Sequence, residues 1–381
     1  MPPYLSKATP SEWKYPEPAA PNRENHLPVS AYPPHKIYWH EYGNPEGEPV
    51  MVVHGGPGGN TDKELARFFD PERYRIIMFD QRGCGKSEPS VAKDPIGGLR
   101  DNTTDHSIAD MERLRTHLNV KGKMHVFGGS WGSTLAMAYA IKKPEHVKSL
   151  ALRGIFLVRK KDLDYFYQGN AEHYHERPLD TSLPGAYATF PEAWKEYVEV
   201  IPVEKRGDMV KAYSEIFAMN PTSAAEEELR TNAAKAWSVW EGVTSYLAQD
   251  TRNLGNFEDT EFAKTFAPVE NHYFMNGGFL GGQGEGNRNQ NYIIENVDKI
   301  KDIPIRIVQG QYDQVCPRFQ ADELVAALKE KGAPDVQYVT TPSGHSMKER
   351  YNMLALTEAM DTMPVLTAQD RLPQKGSQEL K

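Results

Sequence analysis

The sequence predicts an α/β architecture: a mostly parallel twisted sheet flanked by helices, with a helical cap inserted into it. Three observations carry that prediction. Between about residues 35 and 155, short apolar runs alternate with helix-like ones, which implies parallel strands joined by right-handed crossovers. From 156 to 298 the strand-like runs stop and helical patterns take over. From 299 to 367 the alternation returns, so the simplest account is one core interrupted by a cap.

Residues 1–34 are dense in proline, from Pro2 to Pro34, which favours an extended arm over a helix. Residues 36–42 read as a strand, and Gly43-Asn44-Pro45-Glu46-Gly47 as its turn. The apolar run 49–53 leads into His54-Gly55-Gly56-Pro57-Gly58-Gly59, and the run 74–79 into Asp80-Gln81-Arg82-Gly83-Cys84-Gly85-Lys86-Ser87. The run 124–127 leads into Gly128-Gly129-Ser130-Trp131-Gly132, and an Ala/Leu/Met-rich stretch follows until Lys143-Pro144 ends it. That is a strand, a sharp turn and a helix. In the cap, residues 191–200, 204–219 and 223–247 read as helices, with Ser223 and Glu226 placed as a capping box for the third. Gly277-Gly278, Gly281-Gly282 and Gly284-Glu285-Gly286 mark flexible loops before the chain returns to the sheet. Residues 304–308 and 335–339 read as the last strands, ending near Asp313 and His345, and the polar tail 368–381 is expected to be disordered.

Composition narrows the function classes. A chain of 381 residues easily supports one large core plus a lid. A net charge of −8 argues against a nucleic-acid partner. The mean hydropathy of −0.64 and the lack of a long apolar run argue against a membrane span. No basic start followed by an apolar stretch lies near Met1, so no secretory signal is expected. Two cysteines, Cys84 and Cys316, leave no disulfide framework and suit a reducing compartment, so the expected location is cytoplasmic.

The turn at Ser130 fits Gly-x-Ser-x-Gly, which lifts a serine hydroxyl above the sheet edge at a helix N-terminus. With Asp313 and His345 following in that order, the chain shows the serine, acid, histidine order of α/β hydrolases. The chemistry needs all three. The hydroxyl is a weak nucleophile until an imidazole accepts its proton, and a carboxylate must hold that imidazole in one tautomer. The backbone N–H groups of Trp131 and of Gly56 in the glycine loop are the expected oxyanion hole. Asp80 and Arg82 are expected to brace the loops around the site, and His125, inside a strand, to be structural. No metal or cofactor is expected, because no ligand-spaced cluster such as His-Glu-x-x-His is present. In the cap, Trp237, Trp240 and Glu241 stand at i, i+3 and i+4, one helical face, and Glu270 lies in a second aromatic stretch. A buried carboxylate beside aromatics is costly unless paired, and acids at the end of a pocket suit a cationic amine.

Taken together, His54–Gly59, Asp80–Gly83, the run Gly128-Gly129-Ser130-Trp131-Gly132-Ser133-Thr134-Leu135 and Asp313-Gln314-Val315-Cys316-Pro317 resemble proline iminopeptidases (prolyl aminopeptidases). The resemblance runs from about His35 to His345, the cap included. It implies a serine aminopeptidase that releases an N-terminal proline from peptides through an acyl-enzyme on Ser130. It also implies that Glu241 and Glu270 bind the terminal amine, that Arg153 and Phe156 lie beside the proline-ring pocket, and that Trp240 belongs to the substrate site. Two positions depart: Cys84 stands where many members carry serine, and Phe166 where they tend to carry a tyrosine. The triad alone also fits a carboxylesterase or amide hydrolase for small substrates, and a hydrolase-like fold can serve as a binding scaffold. A dehalogenase would want Asp at position 130. The sequence is silent on oligomeric state.

Overall fold

The computed structural model describes residues 12–32, 34–178, 182–247, 254–281, 288 and 290–373. The loop glycines 282–286 singled out in the sequence lie outside them. Eight strands form one sheet: β1 (Arg23–Ala31), β2 (Pro34–Gly43), β3 (Glu48–Val53), β4 (Tyr74–Phe79), β5 (Met124–Gly129), β6 (Val147–Arg153), β7 (Ile305–Gly310) and β8 (Val336–Thr341). Their order is β1-β2-β4-β3-β5-β6-β7-β8. Strand β2 runs antiparallel to β1 and β4, and the pairs from β4 to β8 are parallel.

Alternate residues of the strands divide between two cores. Met51, Val53, Ile77, Phe79, Val126 and Leu150 face one side, with α1 (Thr104–His117) and α2 (Trp131–Lys142) packed on it. Val50, Val52, Ile76, Met78 and Phe127 face the other, where Phe68, Phe69 and the last helix cover them. Both faces of the central strands are therefore dry, which is why those runs are apolar without alternation. Helix α2 is buried from Trp131 to Ile141, as its Ala-rich, all-round apolar sequence requires.

Between β6 and β7 the chain forms the helices α3 (Pro191–Glu199), α4 (Met209–Phe217), α5 (Ala224–Thr244) and α6 (Thr260–Met275). Ser223 Oγ accepts from Glu226 N and starts α5, while the Glu226 carboxylate takes Thr222 N. The helix expected from 204 begins at Met209, because Asp208 caps it by accepting from Lys211 N. After β7 come α7 (Phe319–Glu330) and α8 (Arg350–Asp361). Among the described residues, no helix is long and apolar enough to cross a membrane.

At both chain ends the structure adds to the sequence reading, and residues 374–381 of the tail lie outside those described. Residues 23–31 of the proline-rich arm form an edge strand with a register shift between Pro28 and Ser30. Proline is tolerated there because an edge strand need not donate every N–H. At the other end, residues 368–373 lie against the core: Lys123 N donates to Asp370 O, and Lys148 Nζ sits 2.7 Å from the Asp370 carboxylate.

Candidate active site

The turn after β5 places Ser130 at the N-terminus of α2 with φ 59° and ψ −131°, a left-handed conformation rare for a side-chain-bearing residue. Its surroundings have no room for Cβ atoms. One added at Gly128 would lie 2.2 Å from Gly132 O, and one at Gly132 would lie 2.2 Å from Val53 O. The turn is held because Ser130 N donates to Arg153 O, and Ser133 N and Oγ both donate to Ser130 O.

His345 and Asp313 come together from the loops after β8 and β7, with Nδ1 2.8 Å from Asp313 Oδ2. Asp313 is itself anchored: Oδ1 accepts from Val315 N and Cys316 N, and Oδ2 from Gln309 Nε2. Burial pushes the His345 imidazole below the usual histidine range, against the opposing pull of Asp313. Its other nitrogen, Nε2, lies 2.9 Å from Arg153 Nη1. A guanidinium can only donate, so Nε2 is the acceptor and the ring proton faces Asp313. That is the tautomer a general base requires. The Cys316 thiol lies beside the Ser130 hydroxyl, while Nε2 is engaged by Arg153.

Glycine loop 54–59 passes Ser130 closely: a Cβ at Gly55 would lie 3.3 Å from Ser130 Cβ. Trp131 N, at the first turn of α2, is one of the N–H groups a helix leaves without an internal partner. The Trp131 indole donates to Gln81 Oε1, and Gln81 binds His54 O through its amide and His54 Nε2 through its backbone N–H. Asp80 accepts from Thr61 and Lys86, and Arg82 pairs with buried Asp110. His125 joins Ser149 to Glu48 within the sheet.

Beside Ser130 lies a narrow pocket, less open than the cavity outside it. Phe156, Phe166 and Phe274 line it together with Ser130, Gly56 and Cys316, and Glu241 and Glu270 belong to its lining. Tyr167 Oη lies 3.2 Å from Glu241 Oε2 and 3.3 Å from Glu270 Oε2, and Trp237 Nε1 donates to Glu270 Oε2 at 2.7 Å. Glu270 Oε1 is buried without a partner. Burial pushes the Glu241 carboxyl up to about 7, and burial followed by the Glu241 charge pushes Glu270 well above the carboxylate range.

Three residues fall differently from the sequence reading. Trp240 does not line the pocket: its indole donates to Phe166 O and its ring buttresses Phe166 at 5.4 Å. Arg153 turns to His345 and opens onto the outer cavity rather than the narrow pocket. At Phe166 the ring meets the pocket, and Tyr167 brings the phenolic hydroxyl to the acids. Sequence reasoning places Trp237 on the face of Glu241 without a role for its indole, and it does not single out Tyr167, Gln309 or Glu349, since nothing local distinguishes them from packing residues.

These features define a class of protein. A family model described as the alpha/beta hydrolase fold matches residues 48–348, and the chain belongs to that class. A probable proline iminopeptidase from Leptolyngbya boryana is 44% identical over 343 residues, 90% of this chain and 94% of the relative. The proline iminopeptidase of Xanthomonas citri is 43% identical over 328 residues, 86% of this chain and 92% of its own. The chain is a member of the proline iminopeptidase family. A solved structure of proline iminopeptidase from Mycobacterium smegmatis shares the fold, with a TM-score of 0.53 and 18% identity over 89% of this chain and 99% of that one.

Proposed function

We propose that this protein is a serine aminopeptidase that releases an N-terminal proline from peptides. The observation that carries the reading is the pocket beside Ser130, lined by two buried carboxylates. The rings beside Ser130 suit a small apolar residue, and the acids suit the cationic amine of a chain terminus. Ser130 Oγ attacks the prolyl carbonyl carbon while His345 Nε2 takes the hydroxyl proton, with Asp313 holding the imidazolium. For this step the Arg153 guanidinium leaves Nε2, with Asp313 and Glu241 as nearby countercharges. The N–H groups of Trp131 and Gly56 hold the oxyanion, and losing one such donor typically costs about 10²- to 10³-fold in rate. His345 then protonates the leaving nitrogen, and water attacks the prolyl ester of Ser130 to release proline.

The work divides along the chain. Core segments 35–155 and 299–367 supply the nucleophile, acid, base and oxyanion donors, while the cap 156–298 supplies Glu241, Glu270 and most of the ring pocket. A cytoplasmic location is supported by the two buried free thiols, Cys84 and Cys316.

The test is release of p-nitroaniline from proline p-nitroanilide, beside the alanine and leucine analogues and p-nitrophenyl acetate. Wild type should prefer proline strongly, and Ser130→Ala should lose roughly 10⁶-fold in kcat. Ester turnover without anilide cleavage would move the protein to the carboxylesterases.

A further inference from the structure

Ser130 borders two spaces, and Gly56 and Glu241 line both of them. On one side is the narrow pocket with its paired acids. On the other, a wider cavity of about 330 Å³ opens past Gly56 and His345. If the narrow space takes the acyl residue, as proposed above, the departing peptide has only the open one.

One wall of that open space is aromatic, while Asp62, Glu241, Arg153 and Lys348 lie around the rest. Phe257, Phe262 and Phe266 form a cluster in which Phe262 and Phe266 stack at 5.1 Å, and Phe257 stands edge-on to both at 5.5 Å. Phe266 is buried, whereas Phe257 and Phe262 keep part of their rings uncovered. Gly242 on α5 makes the cluster possible, since a Cβ there would lie 2.7 Å from Phe257 Cγ. The rim offers an entering acid little. Lys348 is already held by Glu64 and Asp62, and Arg153 is turned to His345.

We propose that this cavity is the leaving-side subsite, and that it selects peptides in which a large apolar or aromatic residue follows the N-terminal proline. An aromatic side chain there gains ring contacts and buried area, while glycine gains neither and a charged side chain loses its hydration.

The experiment compares kcat/KM for Pro-Phe-NH₂, Pro-Leu-NH₂, Pro-Gly-NH₂ and Pro-Asp-NH₂, with proline amide as the substrate that lacks a leaving residue. Pro-Phe-NH₂ should exceed Pro-Gly-NH₂ by about tenfold or more, with Pro-Asp-NH₂ lowest. Phe262→Ala should cut kcat/KM for Pro-Phe-NH₂ about tenfold more than for proline amide. Equal values across the four dipeptide amides in wild type, with proline amide cleaved, overturn the subsite and leave the aminopeptidase reading standing. Failure to cleave any prolyl substrate overturns that reading, and the subsite with it.

Discussion

Glu241 and Glu270 face one another with Tyr167 between them, and burial outweighs the pull of Arg153 on Glu241. Two like charges in a dry site cannot both ionise cheaply. The pair therefore holds a proton at neutral pH, and Glu241, pushed up to about 7, is the member that titrates. Above that pH the pair carries a negative charge for an incoming amine, and below it the charge is gone. KM for proline p-nitroanilide should accordingly rise as pH falls from 8 to 6, while KM for p-nitrophenyl acetate stays level; parallel changes would sink the assignment. Glu241→Gln or Glu270→Gln should raise KM for the anilide by about 10- to 100-fold, the worth of a charge-assisted hydrogen bond. Glu270→Gln keeps an oxygen for the Trp237 indole and, like the protonated Glu270, an uncharged side chain, so its Tm should not fall. Cys316 gives a second prediction at this scale. Burial pushes its thiol well above the usual range, so alkylation at neutral pH should be slow. A bulky mercurial should still inhibit by filling the pocket, and Cys316→Ala should stay active and become resistant; an inactive alanine variant would give the thiol a role in the reaction.

Elements meet at Glu349, the residue before α8. Its carboxylate accepts Gly344 N, next to His345, and Leu247 N, just beyond α5, while Ser346 N donates to Ser245 O. The end of the cap helix and the histidine loop are thereby one hydrogen-bonded unit. Burial raises the Glu349 carboxyl to about 7, with Asp313 adding to the rise and the hydrogen bonds from Leu247 and Gly344 opposing it. The unfolded chain ionises near the ordinary carboxylate value, so this group costs stability increasingly as pH rises from about 4.3 to 7. Glu349→Gln lacks that cost, and its Tm relative to wild type should improve between pH 5 and pH 8. The same variant should lower kcat about tenfold with KM little changed, as expected when the base is misplaced while substrate binding stays intact. A rise in KM alone would place Glu349 in binding instead. The helix carrying Glu241 was readable from Ser223 and its apolar pattern, because capping and periodicity are local. The bridge to Leu247 was not, because its partners lie 102 residues apart.

Across the whole molecule, the N-terminal arm is a clamp. Trp13 packs edge-on against Phe68 at 5.0 Å with Arg67 over its ring, and Lys14 and Tyr15 both reach Asp361 at the end of α8. Trp13 belongs to the core on the α8 side of the sheet. Trp13→Ala should cost about 3 kcal/mol, read as a lower denaturant midpoint, with kcat/KM for the anilide unchanged. An unchanged midpoint would mean that the arm is not part of the cooperative unit. Its proline content pointed to an extended arm and could not reveal the clamp, since proline sets backbone shape and says nothing of which surface a tryptophan three residues past Pro10 will find.

Periodicity, turn residues and motif order are local properties, and they determined the alternating core, the inserted cap and the serine, acid, histidine order at successive strand ends. A serine in Gly-x-Ser-x-Gly after an apolar strand leaves few other backbones open to it, because Gly128 and Gly132 admit no Cβ. Packing at long range decided the rest. The shared face of α5 splits in the fold: Trp237 turns to Glu270, Glu241 into the pocket, and Trp240 behind Phe166. Arg153 points at His345 because β6 ends beside β5, where Gly129 pairs with it. Helical spacing assigns residues to a face, but only the neighbouring elements decide which of them meets a ligand and which meets another ring.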